Sequence, residues 1–170
     1  SKQERTSKPK PEAVIVVGLG SEGTLQAGAL SSSVRQAVLA WAQRRSEYGD
    51  LGAAQVGPFE LAATLIGSGG SGIGAGQSAQ LVAQGVREAN ELLVRGVKEN
   101  QPFAGVCHLR LVELYLNRAS EAWRALRMQA EATPGLFTVA GAVVQGVGSL
   151  ERTLDSGYRG ANYDFITAET

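Results

Sequence analysis

The sequence predicts an α/β domain: a layered, parallel or mixed sheet with helices on both faces. Three observations carry this expectation. Ala13-Val14-Ile15-Val16-Val17 is a continuous β-branched run, the composition of a strand buried on both sides. Two more apolar segments, Phe59–Ile66 and Val106–Leu116, alternate with stretches whose apolar residues recur at helical spacing. Gly is abundant, 22 of 170 residues, and clusters where strand-like segments end. Strands alternating with helices imply a layered α/β architecture with right-handed crossovers.

Taken in order, residues 1–12 are polar, carry Pro9 and Pro11, and read as a flexible lead-in. The first strand, Ala13–Val17, ends at Gly18-Leu19-Gly20. Residues 30–47 read as a helix. Ser31, Ser32 and Ser33 offer N-cap hydroxyls, Val34, Val38, Trp41 and Ala42 form the stripe, and Arg44 and Arg45 fall in the last turn. Phe59–Ile66 reads as the second strand, or as a short helix passing into a strand, because Glu60-Leu61-Ala62-Ala63 has helical propensity. A helix follows from about residue 77 to 99, with Val82, Val86, Ala89, Leu93 and Val97 on one face and Pro102 beyond its end. In Val106–Leu116, Cys107, Leu109 and Leu111 alternate with His108 and Arg110, which predicts a strand near the sheet edge with one wetter face. Residues 119–132 read as a helix with Trp123, Leu126 and Ala130 inward and Asn117 as its N-cap. Residues 136–140 and 142–147 suggest a hairpin around Gly141. The domain is expected to span 13–148, with 149–170 a loop-rich extension.

Composition excludes several function classes. The 16 basic and 16 acidic residues balance. Residues 1–11 hold four of the bases and one acid, so the remainder is acidic by 3, which argues against a nucleic-acid-binding body. One Cys and one His leave no internal disulfide and no His/Cys zinc cage. No apolar run is long enough to span a membrane and no signal-peptide pattern opens the sequence, so a cytoplasmic setting is expected.

The strongest chemical feature is the stretch Gly67-Ser68-Gly69-Gly70-Ser71-Gly72-Ile73-Gly74-Ala75-Gly76, in which six of ten residues are Gly. Lying between a strand and a helix, it could turn its N–H groups inward and add the positive end of the helix dipole, a cradle for a phosphate or pyrophosphate. The residues that would form it are Gly67, Ser68, Gly69, Gly70, Ser71, Gly72, Ile73 and Gly74. Gln77-Ser78 stands where a P-loop carries Lys-Ser/Thr, so nucleotide hydrolysis of that type is not expected. A tight strand-to-helix turn without a ligand fits the same residues, as does a partner-binding loop. Cys107 and His108, adjacent on a strand, point to opposite faces and cannot act as a dyad. Trp41 and Trp123 fall on core stripes. Asp155, Tyr158, Arg159, Tyr163 and Asp164 suggest a local ion pair that fixes the tail. No catalytic or metal-ligating set emerges.

The stretches AVIVVGLG, LIGSGGSGIGAGQSAQLVAQGVREA and CHLRLVELYLNRASEAWRAL resemble macro domains and the macro-like N-terminal domain of leucyl aminopeptidases. In macro domains the second pattern is similar to the strand and loop around the diphosphate of ADP-ribose. The resemblance implies ADP-ribose or another nucleotide as ligand at residues 67–74. It also implies earlier strands that nothing before Ala13 supplies, so the sheet is expected to be incomplete at its N-terminal side. Completion would come from a missing N-terminal segment or a protein partner. The Asn-containing loop of active macro domains has no counterpart here. The sequence is also similar to segments of large bacterial proteins that carry CHAT protease domains. Together these likenesses imply a non-catalytic interaction or regulatory module, with a nucleotide binder and a fragment of an enzyme completed elsewhere as the alternatives.

Overall fold

The computed structural model describes residues 11–21, 24–50, 57–67, 72–96, 104–145 and 164–169. The elements run α1 (Ala27–Asp50), β1 (Phe59–Thr64), α2 (Ala75–Gly96), β2 (Val106–Glu113), α3 (Leu116–Ala132), β3 (Thr138–Val139), β4 (Val144–Gln145) and β5 (Asp164–Glu169). The fold is mixed α/β. β1 and β2 are parallel, with Leu61 opposite Leu109 and Ala63 opposite Leu111. β5 is antiparallel to β2, with Leu111 opposite Ile166. β3 and β4 pair with opposite ends of β5.

Several expectations change here. Ala13–Val17 forms no strand among the described residues. β2 is an interior strand between β1 and β5, not an edge strand. Its alternation reflects a sheet with one covered face: Leu109 and Leu111 are fully buried, while Arg110 is exposed on the other side. The hairpin expected over residues 136–147 does not form among the described ones, because β3 and β4 each pair with β5 rather than with each other. The tail from 149, expected to be loop-rich, contributes β5 to the middle of the sheet, and residues 146–163 lie outside the described ones. Of the cluster expected over residues 155–164, Asp164 begins β5 and the others lie outside the described residues.

The expected helices on both faces also give way to a single layer among the described residues. α1 packs on α2 and α2 on α3, and their inward residues join Leu61, Ala63, Leu109 and Leu111 in one core. Glu60, Ala62 and Thr64, on the opposite face of β1, are exposed. Chain direction explains this. Helices reach both faces of an open sheet when the strand order doubles back, because each right-handed crossover then turns to the other side. Here β1, α2 and β2 step in one direction, with α1 beside α2.

Local chemistry sets the helix ends. α1 begins before the three serines, so they are not its cap; Ser31 is buried inside it, with its hydroxyl bonded to the Gly28 carbonyl. The helix also runs past Arg44 and Arg45, and Arg45 turns back to donate to the Gly57 carbonyl at 2.7 Å. α3 starts at Leu116, inside which Asn117 is no cap. The Glu113 carboxylate instead accepts the N–H groups of Leu114 (2.7 Å) and Tyr115 (3.2 Å). Trp123 packs against the core, as the stripe implied, and its indole N–H donates to the Ala140 carbonyl at 2.8 Å. Asn90 of α2 bonds both backbone groups of Val106, fixing where β2 begins.

Arg35 of α1 and Glu88 of α2 form a part-buried ion pair at 2.9 Å. The Gln84 amide, then the Arg35 guanidinium, hold the Glu88 carboxyl below its ordinary value against an opposing push from burial. A carboxyl lowered in the folded state stabilises fully above its unfolded value and loses that contribution as pH falls through the folded one. Glu88→Gln should therefore cost less than about 1 kcal/mol near neutrality, since both partners are partly solvated. The gap from wild type should close in urea titrations run stepwise into acid.

Candidate functional site

The Gly-rich junction between β1 and α2 is described at both ends, at Gly67 and from Gly72 onward. Ser68, Gly69, Gly70 and Ser71 lie outside the described residues. Gly67 has φ +79° and Gly72 φ +76°, a region in which a Cβ is strained, so Gly serves the turn at both positions. Ile73 is buried in the core. The fully buried Ser78 donates from its hydroxyl to the Ile66 carbonyl at 2.6 Å and ties the end of β1 to the start of α2.

The N-terminus of α2 already meets a side-chain acceptor. Glu121, reaching across from α3, accepts the Gly76 N–H on Oε1 at 3.1 Å. A Cβ on Gly74 would stand 3.2 Å from that same oxygen, and a Cβ on Gly76 would meet Ala125 of α3 at 3.0 Å. Two of the glycines that suggested close approach by a ligand thus allow close approach by α3. A carboxylate at a helix N-terminus is favoured by the unpaired N–H groups and the dipole there, the same forces that would hold a phosphate. Glu121 was not legible as a site residue. A lone Glu on an amphipathic helix reads as a solvated one.

A second feature lies at the outer side of β1. Among the described residues β1 pairs with β2 alone, and no strand lies on its other side. Residues 11–19 run beside that open side. Pro11, Glu12, Ala13 and Ile15 share a cavity of about 400 Å³ with Phe59–Ala62, and Ile15, Val17 and Leu19 share a crevice of about 550 Å³ with Leu61–Gly67. Rising numbers match rising numbers, so the segment runs parallel to β1. Ile15 and Val17 turn inward and are half-buried, while Val14 and Val16 are 76% and 90% exposed. Val34 and Val38 of α1 close the crevice from the helical layer. Its lining is almost wholly apolar side chains, with Thr64 the polar exception. Gly67 sits at its lip; of the other expected loop residues, the described Gly72, Ile73 and Gly74 do not line it.

The remaining candidates behave as side chains of a structural sheet. The Cys107 thiol donates to the Phe59 carbonyl at 3.3 Å. His108 lies 4.0 Å from Glu60, which pairs with Arg110 at 2.9 Å on the exposed face. Among the described residues no group of three or more His, Cys, Asp or Glu is placed to hold a metal ion, and no helix is long and apolar enough to cross a membrane. No protein-family model, curated protein or solved structure matches the chain.

Proposed function

We propose that the chain is a non-catalytic interaction module, macro-like in its alternation of strands and helices, working within a larger assembly. Its binding element is the open side of β1, which receives an extended, apolar segment of a protein partner. One observation carries this reading: a sheet strand with no strand paired beyond it among the described residues borders a crevice of about 550 Å³ lined mostly by apolar side chains. Unpaired strand edges offer a row of N–H and C=O groups to an incoming chain, and apolar pockets beside them select alternate side chains. The nucleotide alternative draws less support, because Glu121 holds the N–H at the start of α2 that a diphosphate would need.

The test sets the two ligand classes against each other. A lysine-flanked peptide of alternating Thr and Val is expected to slow amide exchange at Leu61–Thr64. ADP-ribose, AMP and inorganic phosphate are expected to leave the melting temperature unchanged. Saturating a ligand at about 100 times its Kd would add about 2.7 kcal/mol, a shift of several degrees for a domain of this size. Such a shift with ADP-ribose and no effect of the peptide would overturn the proposal.

A further inference from the structure

We propose that residues Ala13–Leu19 are an intramolecular strap that competes for the open side of β1. This rests on the reading of that edge as the binding element and names what regulates it. Three observations converge on the same segment. It runs parallel to β1, the direction a strand joined to β1 through α1 must take in a right-handed crossover. Its side chains alternate as a strand's do, with Ile15 and Val17 inward and Val14 and Val16 outward. It is nonetheless not paired with β1 in the sheet, and the two segments line a common crevice.

A β-branched run in this place has all that a sheet strand needs except the last approach. Moving inward would carry Ile15 and Val17 into the crevice against Leu61, Val34 and Val38, and would pair its backbone with β1. Moving outward leaves the crevice to a partner. The two occupants use the same edge and the same apolar pockets, so they exclude each other. A site available in only a fraction of molecules binds with its affinity reduced by that fraction. The strap thus sets the apparent affinity of the module without touching the partner.

The experiment uses the full chain and a lysine-flanked peptide of residues 12–20 as probe. Ile15→Ser with Val17→Ser removes the inward anchors of the strap. Val14→Ser with Val16→Ser, at exposed positions, is the control, and thermal melts verify that both variants fold. The anchor variant is expected to bind the peptide at least tenfold more tightly than wild type. In the free protein its amides at Leu61–Thr64 are expected to exchange faster than those of wild type, while the control matches wild type in both respects. Equal peptide affinity in wild type and anchor variant, with equal exchange, would overturn the strap and leave the edge reading standing. Absence of binding in every variant would overturn the edge reading and the strap with it.

Discussion

Gly85→Val is expected to be the most damaging single substitution in the helical layer. A Cβ at this position would stand 2.5 Å from the Ser31 carbonyl oxygen and 2.8 Å from the Val34 Cβ. The first of these is backbone of α1 and cannot rotate away, so the two helices must part. Overpacking a core commonly costs 1–3 kcal/mol, and a clash against backbone sits at the upper end, roughly 3 kcal/mol. Gly85→Ala should still destabilise, although Ala is about 1 kcal/mol better than Gly within a helix. Gly28, also in α1, faces open space, and Gly28→Ala should be neutral or slightly stabilising. Urea denaturation midpoints compare the three directly. A Gly85→Val midpoint equal to wild type would mean that α1 does not meet α2 at this point. Because Val34 and Val38 also wall the crevice, parting the helices should weaken peptide binding at β1 as well.

Glu113→Ala should have the next largest effect, about 2–3 kcal/mol. Glu113 ends β2 with its side chain 8% exposed; its Oε1 accepts the Leu114 and Tyr115 N–H groups, and its Oε2 forms an ion pair with Arg118, whose Nε lies 3.1 Å away. Removing it leaves the start of α3 without its acceptor and Arg118 without this carboxylate. Breaking a fully buried pair costs 3–5 kcal/mol, but Arg118 is partly exposed and can turn toward water, which lowers the figure. Glu113→Gln keeps an acceptor oxygen and should recover about half the loss. Guanidinium unfolding of both variants checks the ordering; a Gln variant as unstable as the Ala variant would assign the effect to charge rather than to capping.

Periodicity made the helices and the two longest strands legible. α2 carries Val82, Val86 and Ala89 fully buried on the expected stripe, and β2 alternates as its residues imply from His108 to Glu113, with the pattern broken at Cys107 beside a register shift against β1. These signals are local, because side-chain direction follows from the backbone period alone. The Gly-rich turn was legible for the same reason, and Gly67 and Gly72 have the positive φ that only local geometry demands. Its chemical meaning was not. Whether a cradle faces a phosphate or a neighbouring carboxylate depends on Glu121, 45 residues away from the Gly76 N–H it accepts.

The sequence by itself determined an α/β chain, its helices and the positions of β1 and β2, since hydrophobic period and turn chemistry act over a few residues. Only the tertiary structure decided that the described helices share one face, that β5 enters the middle of the sheet, and that Ala13–Leu19 lies beside β1 without joining it. Strand order and edge occupancy arise from pairings between residues distant in sequence. A six-residue run such as Asp164–Glu169 carries no mark of the neighbours it will take, and an apolar run fits equally well as an interior strand or as a strap against an open edge.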